Sequence, residues 1–382
     1  MYMGAGVFAC SVFIALSNRS NSANLVRTWQ IPFWPGGQPV IGARRTRRAR
    51  PGRRVVMITA SAIILAAIGG CTLLSGDDPP EPAPGQARAV PLGAFLGPGR
   101  DGVGAIAGFE SWLGVAVTVG HAYLPGGSWA DVEGPDWVLD PWSAWRTARP
   151  DRMLVLNVPM LAPNEPALDD TKVATLLREG ADGAYDEHFR TLAKRLVARG
   201  ATDTVIVLGW EMNGTSYSSR CGPNPMAWKE YWHRIVTTMR GVKGQHFRFD
   251  FAPVRGAQAI PWPQCYPGDD VVDIIGMDAY DMHPGRTFAD FVDQPYGLQA
   301  QANFAAAHAK PMSYPEWGLF EYGDNGDYLH GMYTWFSTHD VAYQTITDYC
   351  PHGVWRCPDN PAASEAYRRL FGVTGSSPRR GR

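Results

Sequence analysis

Short apolar runs recur along residues 91–372, and most are separated by enough chain to form a helix. They fall at 91–97 (PLGAFLG), 114–119 (GVAVTV), 153–158 (MLVLNV), 204–209 (TVIVLG), 247–252 (FRFDFA), 271–277 (VVDIIGM), 311–314 (PMSY) and 341–347 (VAYQTIT). Runs this short and this continuously apolar read as strands buried on both faces. The intervening segments carry the helical period instead. Residues 183–199 put Phe189, Leu192, Leu196 and Val197 on one face, and residues 226–240 do the same with Trp228, Trp232, Ile235 and Met239. Residues 105–113, 288–309, 327–338 and 361–371 also read as helices. Strand and helix in alternation mean parallel β/α units. Eight such units in about 285 residues fit one α/β domain, a (β/α)8 TIM barrel over residues 91–374. A hydrophobic fraction of 45% is enough to fill it.

The chain upstream reads as a targeting region. Residues 44–54 are strongly basic, residues 55–68 are apolar, and Gly69-Gly70-Cys71 follows. A basic stretch, a short apolar stretch and small residues before a cysteine form an export signal, 44–71, whose end is similar to a bacterial lipobox. That similarity implies cleavage before Cys71 and a lipid on its thiol, hence an exported protein, either anchored at the membrane facing outward or secreted. The apolar run is short for a stable membrane span. Residues 1–43 lie upstream of this complete signal, either as a misplaced translation start or as an N-terminal extension. Residues 72–90 are rich in Pro, Gly and acids and read as a tether, and residues 375–382 read as a disordered tail.

Formal net charge is −1, which gives no reason to expect a nucleic-acid partner. With Cys10 and Cys71 assigned to the pre-sequence and the lipid, four cysteines remain for an oxidising compartment. Cys350 and Cys357 would close a small loop, and Cys221 and Cys265 would tie two loops together. Neither zinc spacing nor an oxygen-ligand cluster is evident, so no metal and no cofactor is expected.

Two segments carry the chemistry. Leu208-Gly-Trp-Glu-Met-Asn-Gly214 puts Glu211 at the end of the fourth run, and Tyr314-Pro-Glu-Trp-Gly318 puts Glu316 at the end of the seventh. In a barrel of this kind the C-terminal strand ends hold the active site. Two carboxylates on opposite sides of the mouth can face one sugar, as glycoside hydrolysis requires. The rest of the acids are weaker candidates: Glu110 reads as exposed on a helix, Asp250 lies within a strand, and Asp278 and Asp281 flank Tyr280. Trp262, Trp317 and Trp355 fall on predicted loops at the mouth, where they could stack on sugar rings or pack in the core.

Trp210-Glu-Met-Asn-Gly214 resembles the acid/base motif of glycoside hydrolase family 26, whose usual first residue is His. Residues 266–280 resemble that family's sixth-strand segment, and residues 315–318 its nucleophile segment, in the family's order. The resemblance implies Glu211 as acid/base and Glu316 as nucleophile. It implies Tyr280 as the hydrogen-bond partner of the nucleophile, with Asn213, Trp210 and His121 lining the cleft. The implied activity is retaining endo-hydrolysis of a β-linked polysaccharide, β-1,4-mannan before other polymers, by a monomeric enzyme. Trp210 in the histidine's place keeps β-glucan, β-xylan and envelope glycans open. The rivals outside catalysis are a glycan-binding envelope lipoprotein and a structural one, and the presence of both glutamates argues against the first.

Overall fold

The computed structural model describes residues 90–372. The expectations for residues 1–43, the export signal, Cys10, Cys71, the tether and the tail lie outside this span. The strands are β1 (Leu92–Phe95), β2 (Val119–Tyr123), β3 (Met153–Val158), β4 (Val205–Leu208), β5 (Arg248–Phe251), β6 (Ile274–Gly276), β7 (Ala279–Tyr280), β8 (Met312–Gly318) and β9 (Val341–Thr347). The helices are α1 (Gly99–Leu113), α2 (Trp129–Val132), α3 (Asp136–Thr147), α4 (Asp170–Ala181), α5 (Asp186–Ala198), α6 (Pro225–Arg240), α7 (Phe288–Asp293), α8 (Leu298–Ala307), α9 (Gly326–Thr338) and α10 (Pro361–Phe371).

Every strand pairing is parallel. The sheet order runs β6-β5-β4-β3-β2-β1-β9-β8-β7, and β6 also pairs with β8. That last pairing closes the sheet. β6 and β7, interrupted at Met277-Asp278, both lie on β8 and act as one stave, so the barrel has eight. This is the (β/α)8 barrel that the alternating pattern predicts.

Between sheet and helices lies one continuous apolar layer. On α5, Phe189, Leu192, Ala193 and Leu196 are fully buried, and on α6 Trp228, Trp232 and Ile235 are. Each large side chain so buried contributes roughly 1.5–3 kcal/mol. The indole N–H groups on α6 stay satisfied: Trp228 donates to the Ser219 carbonyl at 2.7 Å and Trp232 to that of Leu208 at 3.2 Å. The barrel interior differs, because its strands point valines and polar groups inward. Asp250 on β5 accepts from Ser313 Oγ on β8 at 2.5 Å and Tyr343 Oη on β9 at 2.6 Å. Burial raises the Asp250 carboxyl to about 7 against those two bonds.

Some sequence expectations need correction. The second strand is not 114–119 but Val119–Tyr123, because Gly114 takes a left-handed φ of 80° and caps α1, leaving 115–118 as a connection. Glu110 is half-buried and accepts from the Val117 amide at 2.9 Å, bracing that connection. The expected helix over 288–309 breaks into α7 and α8 at Tyr296, whose φ is 60°. The two expected disulfides are present, Cys350–Cys357 and Cys221–Cys265. The second joins the segments following β4 and β5.

One irregularity in the sheet decides which way Glu316 points. Along β8 and β9, Tyr314 pairs with Gln344 but Trp317 pairs with Ile346, so β8 spends one extra residue over this stretch. It is a β-bulge. Tyr314 faces outward, its hydroxyl accepting from Trp335 on α9 at 2.5 Å. In a regular strand Glu316, two residues on, would face outward as well. The bulge turns Glu316 into the barrel and leaves Trp317 outside.

Candidate active site

Glu211 follows β4 through a tight turn. Gly209 has φ 56° and Glu211 itself has φ 50°. With that φ any side chain at Gly209 is strained, and a Cβ there would also press on Met160 Sδ at 2.5 Å. Glu211 is not a glycine, and its left-handed backbone is strained. The surroundings hold it there. Gly209 N–H donates to the Val158 carbonyl at 2.9 Å, Glu211 N–H to that of Ala252 at 2.8 Å, and Cys221 N–H to that of Met212 at 2.7 Å.

Glu316 is 8% exposed and is gripped from three strands. Tyr280 Oη donates to its Oε2 at 3.0 Å, and Asn157 Nδ2 to its Oε1 at 3.0 Å. The Tyr123 hydroxyl at the end of β2 is a third donor. Tyr280 is itself held by Thr347 Oγ1 at 2.7 Å. Behind Asn157 stands His121, its Nε2 3.0 Å from Asn157 Oδ1 and its Nδ1 3.1 Å from Thr345 Oγ1. Burial lowers His121 to about 4, so the ring is neutral near pH 7. Since the Asn157 nitrogen is committed to Glu316, its oxygen must accept, and His121 carries its proton on Nε2.

The two carboxyls have unequal electrostatics. Glu211 keeps some exposure as a residue, but its carboxyl lies deep. Desolvation raises it first, and the charge of Glu316 raises it further. Burial raises Glu316 too, but the bonds from Tyr123, Tyr280 and Asn157 oppose the rise. Glu316 is therefore the first of the pair to ionise, and Glu211 keeps its proton longer. Asp278, fully buried between β6 and β7, is pushed well above its ordinary value by burial first and then by the charges of both glutamates.

The sequence-predicted residues divide. Glu211, Glu316 and Tyr280 come together. Trp210 lies beside them, edge-on to Tyr123 with ring centroids 5.7 Å apart, and its Nε1 donates to Tyr217 Oη at 2.6 Å. Three expected sugar contacts are corrected. Trp317 is fully buried outside the barrel against Phe336, Tyr367 and Phe371, and donates to Gln344 Oε1. Asn213 is fully buried and spends its amide on the backbone of Val254, donating to its carbonyl at 2.8 Å and accepting from its N–H at 2.9 Å. His121 is also fully buried and works behind Asn157. Of the other tryptophans, Trp262 is core, donating to the Tyr296 carbonyl at 3.1 Å, and Trp355 packs on Phe109. Tyr123 and Asn157 were not singled out from sequence. Asn157 had a signal, as the one polar residue in MLVLNV; Tyr123 was hidden by the misplaced second strand.

Two buried acids that interact electrostatically near the C-terminal ends of barrel strands are an arrangement that glycoside hydrolysis can use. The chain matches the model of Glycosyl hydrolase family 26 over residues 209–339, a segment that includes both glutamates. By that match the chain is a glycoside hydrolase, acting on O-glycosyl bonds. Solved structures with the same fold include a modular endo-β-1,4-mannanase from Cellulomonas fimi, with 18% identity, TM-score 0.57, and coverage of 74% of this chain and 70% of that one. A Bacillus subtilis mannanase matches at 15% identity and TM-score 0.53, covering 74% and 85%. A Bacteroides ovatus β-mannanase matches at 16% and 0.51, covering 75% and 89%. At these identities the likeness establishes the fold. No curated protein matches the chain in sequence.

Proposed function

We propose that this protein is a retaining endo-β-glycanase, with β-1,4-mannan as its polymer, Glu316 as nucleophile and Glu211 as acid/base. The observation that carries the reading is the inequality of the pair: Glu316 is stabilised as an anion by three donors, while burial and that anion keep Glu211 protonated. Ionised Glu316 attacks the anomeric carbon as Glu211 gives its proton to the departing glycosidic oxygen. The glycosyl ester so formed removes the charge at Glu316. Glu211, now an anion, takes a proton from water, and the resulting hydroxide equivalent releases the sugar with its anomeric configuration kept. The mannanase names of the structural neighbours support the choice of polymer. Trp210, an aromatic where the resembled motif has histidine, favours a second reading in which the polymer is another β-glycan.

The test is sugar release by purified residues 88–382 on β-mannans, β-glucans, β-xylans and envelope glycans, with Glu316→Ala in parallel. Activity on mannan, lost in the variant and giving first-formed products of retained configuration by NMR, is expected. Inverted product, or full activity in Glu316→Ala, would overturn the mechanism. Export and lipid attachment at Cys71 belong to the same proposal, motivated by the 44–71 pattern. In a bacterial host Cys71→Ser would then lose metabolic lipid label and membrane association; unchanged labelling would exclude Cys71 as the lipid site.

A further inference from the structure

The segment leaving β5, Ala252–Arg255, touches the supports of both glutamates. On one side the Ala252 carbonyl accepts from Glu211 N–H at 2.8 Å, and Val254 is clasped by the Asn213 amide at 2.8 and 2.9 Å. On the other side stands Arg255. Its residue exposure is 1%. Among the described residues no carboxylate forms a salt bridge with it. A buried guanidinium without an ion pair is expensive unless its N–H groups are otherwise satisfied. Here the two terminal nitrogens turn to backbone carbonyls, while the buried Nε makes no hydrogen bond among the described residues: Nη2 donates to Tyr280 O at 2.8 Å and Met282 O at 2.7 Å, and Nη1 to Pro284 O at 3.3 Å. The guanidinium lies over the Phe291 ring, 4.2 Å from its centroid. Its own backbone N–H donates to the Asp278 carbonyl at 3.0 Å, joining the two segments again.

Three carbonyls gathered by one planar fork fix the path of the chain from Tyr280 to Pro284. Tyr280 is the residue whose hydroxyl reaches Glu316. We propose that Arg255 is a positioning residue: it fixes the backbone of Tyr280, and through the Tyr280 hydroxyl the nucleophile Glu316, relative to Glu211. The proposal rests on the reading of Glu316 as nucleophile. It makes Ala252–Arg255 a strut between the two halves of the catalytic pair.

The groups that face Glu316 are Tyr123 from β2, Asn157 from β3, Glu211 and Tyr217 after β4, Asp278 between β6 and β7, Tyr280 from β7 and Tyr349 after β9. Arg255 is not among them, so an effect of Arg255 on Glu316 has to travel through Tyr280. The experiment is titration of the Glu316 carboxyl by carbon NMR in glutamate-labelled protein, its signal assigned by loss in Glu316→Gln. Wild type, Tyr280→Phe, Arg255→Met and the double variant are compared. Tyr280→Phe removes a donor to the anion and raises the Glu316 midpoint by about one pH unit. Arg255→Met is expected to raise it in the same direction, and the double variant to go no further than Tyr280→Phe. A wild-type midpoint in Arg255→Met, or a full additional rise in the double variant, overturns the proposal. Should Arg255→Met fail to fold by circular dichroism, Arg255→Lys decides: a single nitrogen on a flexible stem does not reproduce the planar fork whose two nitrogens reach separate carbonyls, so an intermediate midpoint supports the relay and a wild-type midpoint overturns it. The titration does not depend on turnover. Wild-type silence on every glycan would therefore count against the proposed function, while the midpoints alone judge Arg255.

Discussion

Asn157→Ala removes the donor that holds Glu316 Oε1 at 3.0 Å, in a site where Asn157 is fully buried and water cannot readily replace it. A hydrogen bond to a charged group contributes about 1.5–3 kcal/mol net. Each pH unit of midpoint corresponds to about 1.36 kcal/mol of differential stabilisation. The bond favours the ionised form, so its loss raises the Glu316 midpoint, by about 1–2 pH units if the whole energy is lost. The working form needs Glu316 ionised and Glu211 protonated. The acid limb of kcat/KM should therefore move to higher pH by that amount. Because the two carboxyls titrate as a coupled pair, the limb reports a property of the pair, and the difference between variant and wild type is the quantity to compare. The assay is kcat/KM against pH on soluble β-mannan, with thermal unfolding as the control for folding. An acid limb that stays in place while KM alone rises would refute the reasoning and make Asn157 a substrate contact.

Glu211→Ala should lower turnover of mannan by roughly 10²–10⁴-fold, the range for loss of general acid–base assistance, with much less loss on an aryl glycoside whose leaving group needs no proton; equal losses on both would rule out the acid role. Glu316→Gln removes the charge that helps keep Glu211 protonated, so the Glu211 midpoint should fall, and an unchanged Glu211 titration would show the two do not interact. Trp317→Ala should cost about 3–5 kcal/mol in chemical denaturation and leave KM near wild type, since the side chain packs outside the barrel. A raised KM with unchanged stability would restore the stacking role. Cys221→Ser with Cys265→Ser opens a closure of 44 residues and should cost about 2–4 kcal/mol, read from urea midpoints against the same protein under reducing conditions.

Both glutamates were legible because each sits where a buried apolar run stops, a signal carried by a few adjacent residues. The barrel was legible for a similar reason, since the stripe on α5 and the run of β9 are local patterns that the tertiary structure leaves intact. What surrounds Glu316 was harder to read. Tyr123 required the correct start of β2, and the glycine that ends α1 lies inside the apolar run taken for that strand. Asn213 and His121 are polar residues beside the site whose bonds go to Val254 and to Asn157 with Thr345. Nothing in one sequence distinguishes such a residue from one that touches sugar. Trp317 was misread because a neighbour of a catalytic residue in a strand normally takes the opposite face, a parity that places it outside. Arg255 gives no signal at all, since its partners are backbone carbonyls, which every residue has.

The extra residue in β8 makes the orientation of Glu316 depend on the bulge being held, not on the strand sequence alone. Flattening the bulge without changing its length would swing the carboxylate toward the helices and bring the indole into the lumen, whereas deleting the extra residue would give a regular strand that still points the glutamate inward and the indole outward. What the site requires between the outward tyrosine and the inward glutamate is a matched pair, either the extra residue with its bulge or neither.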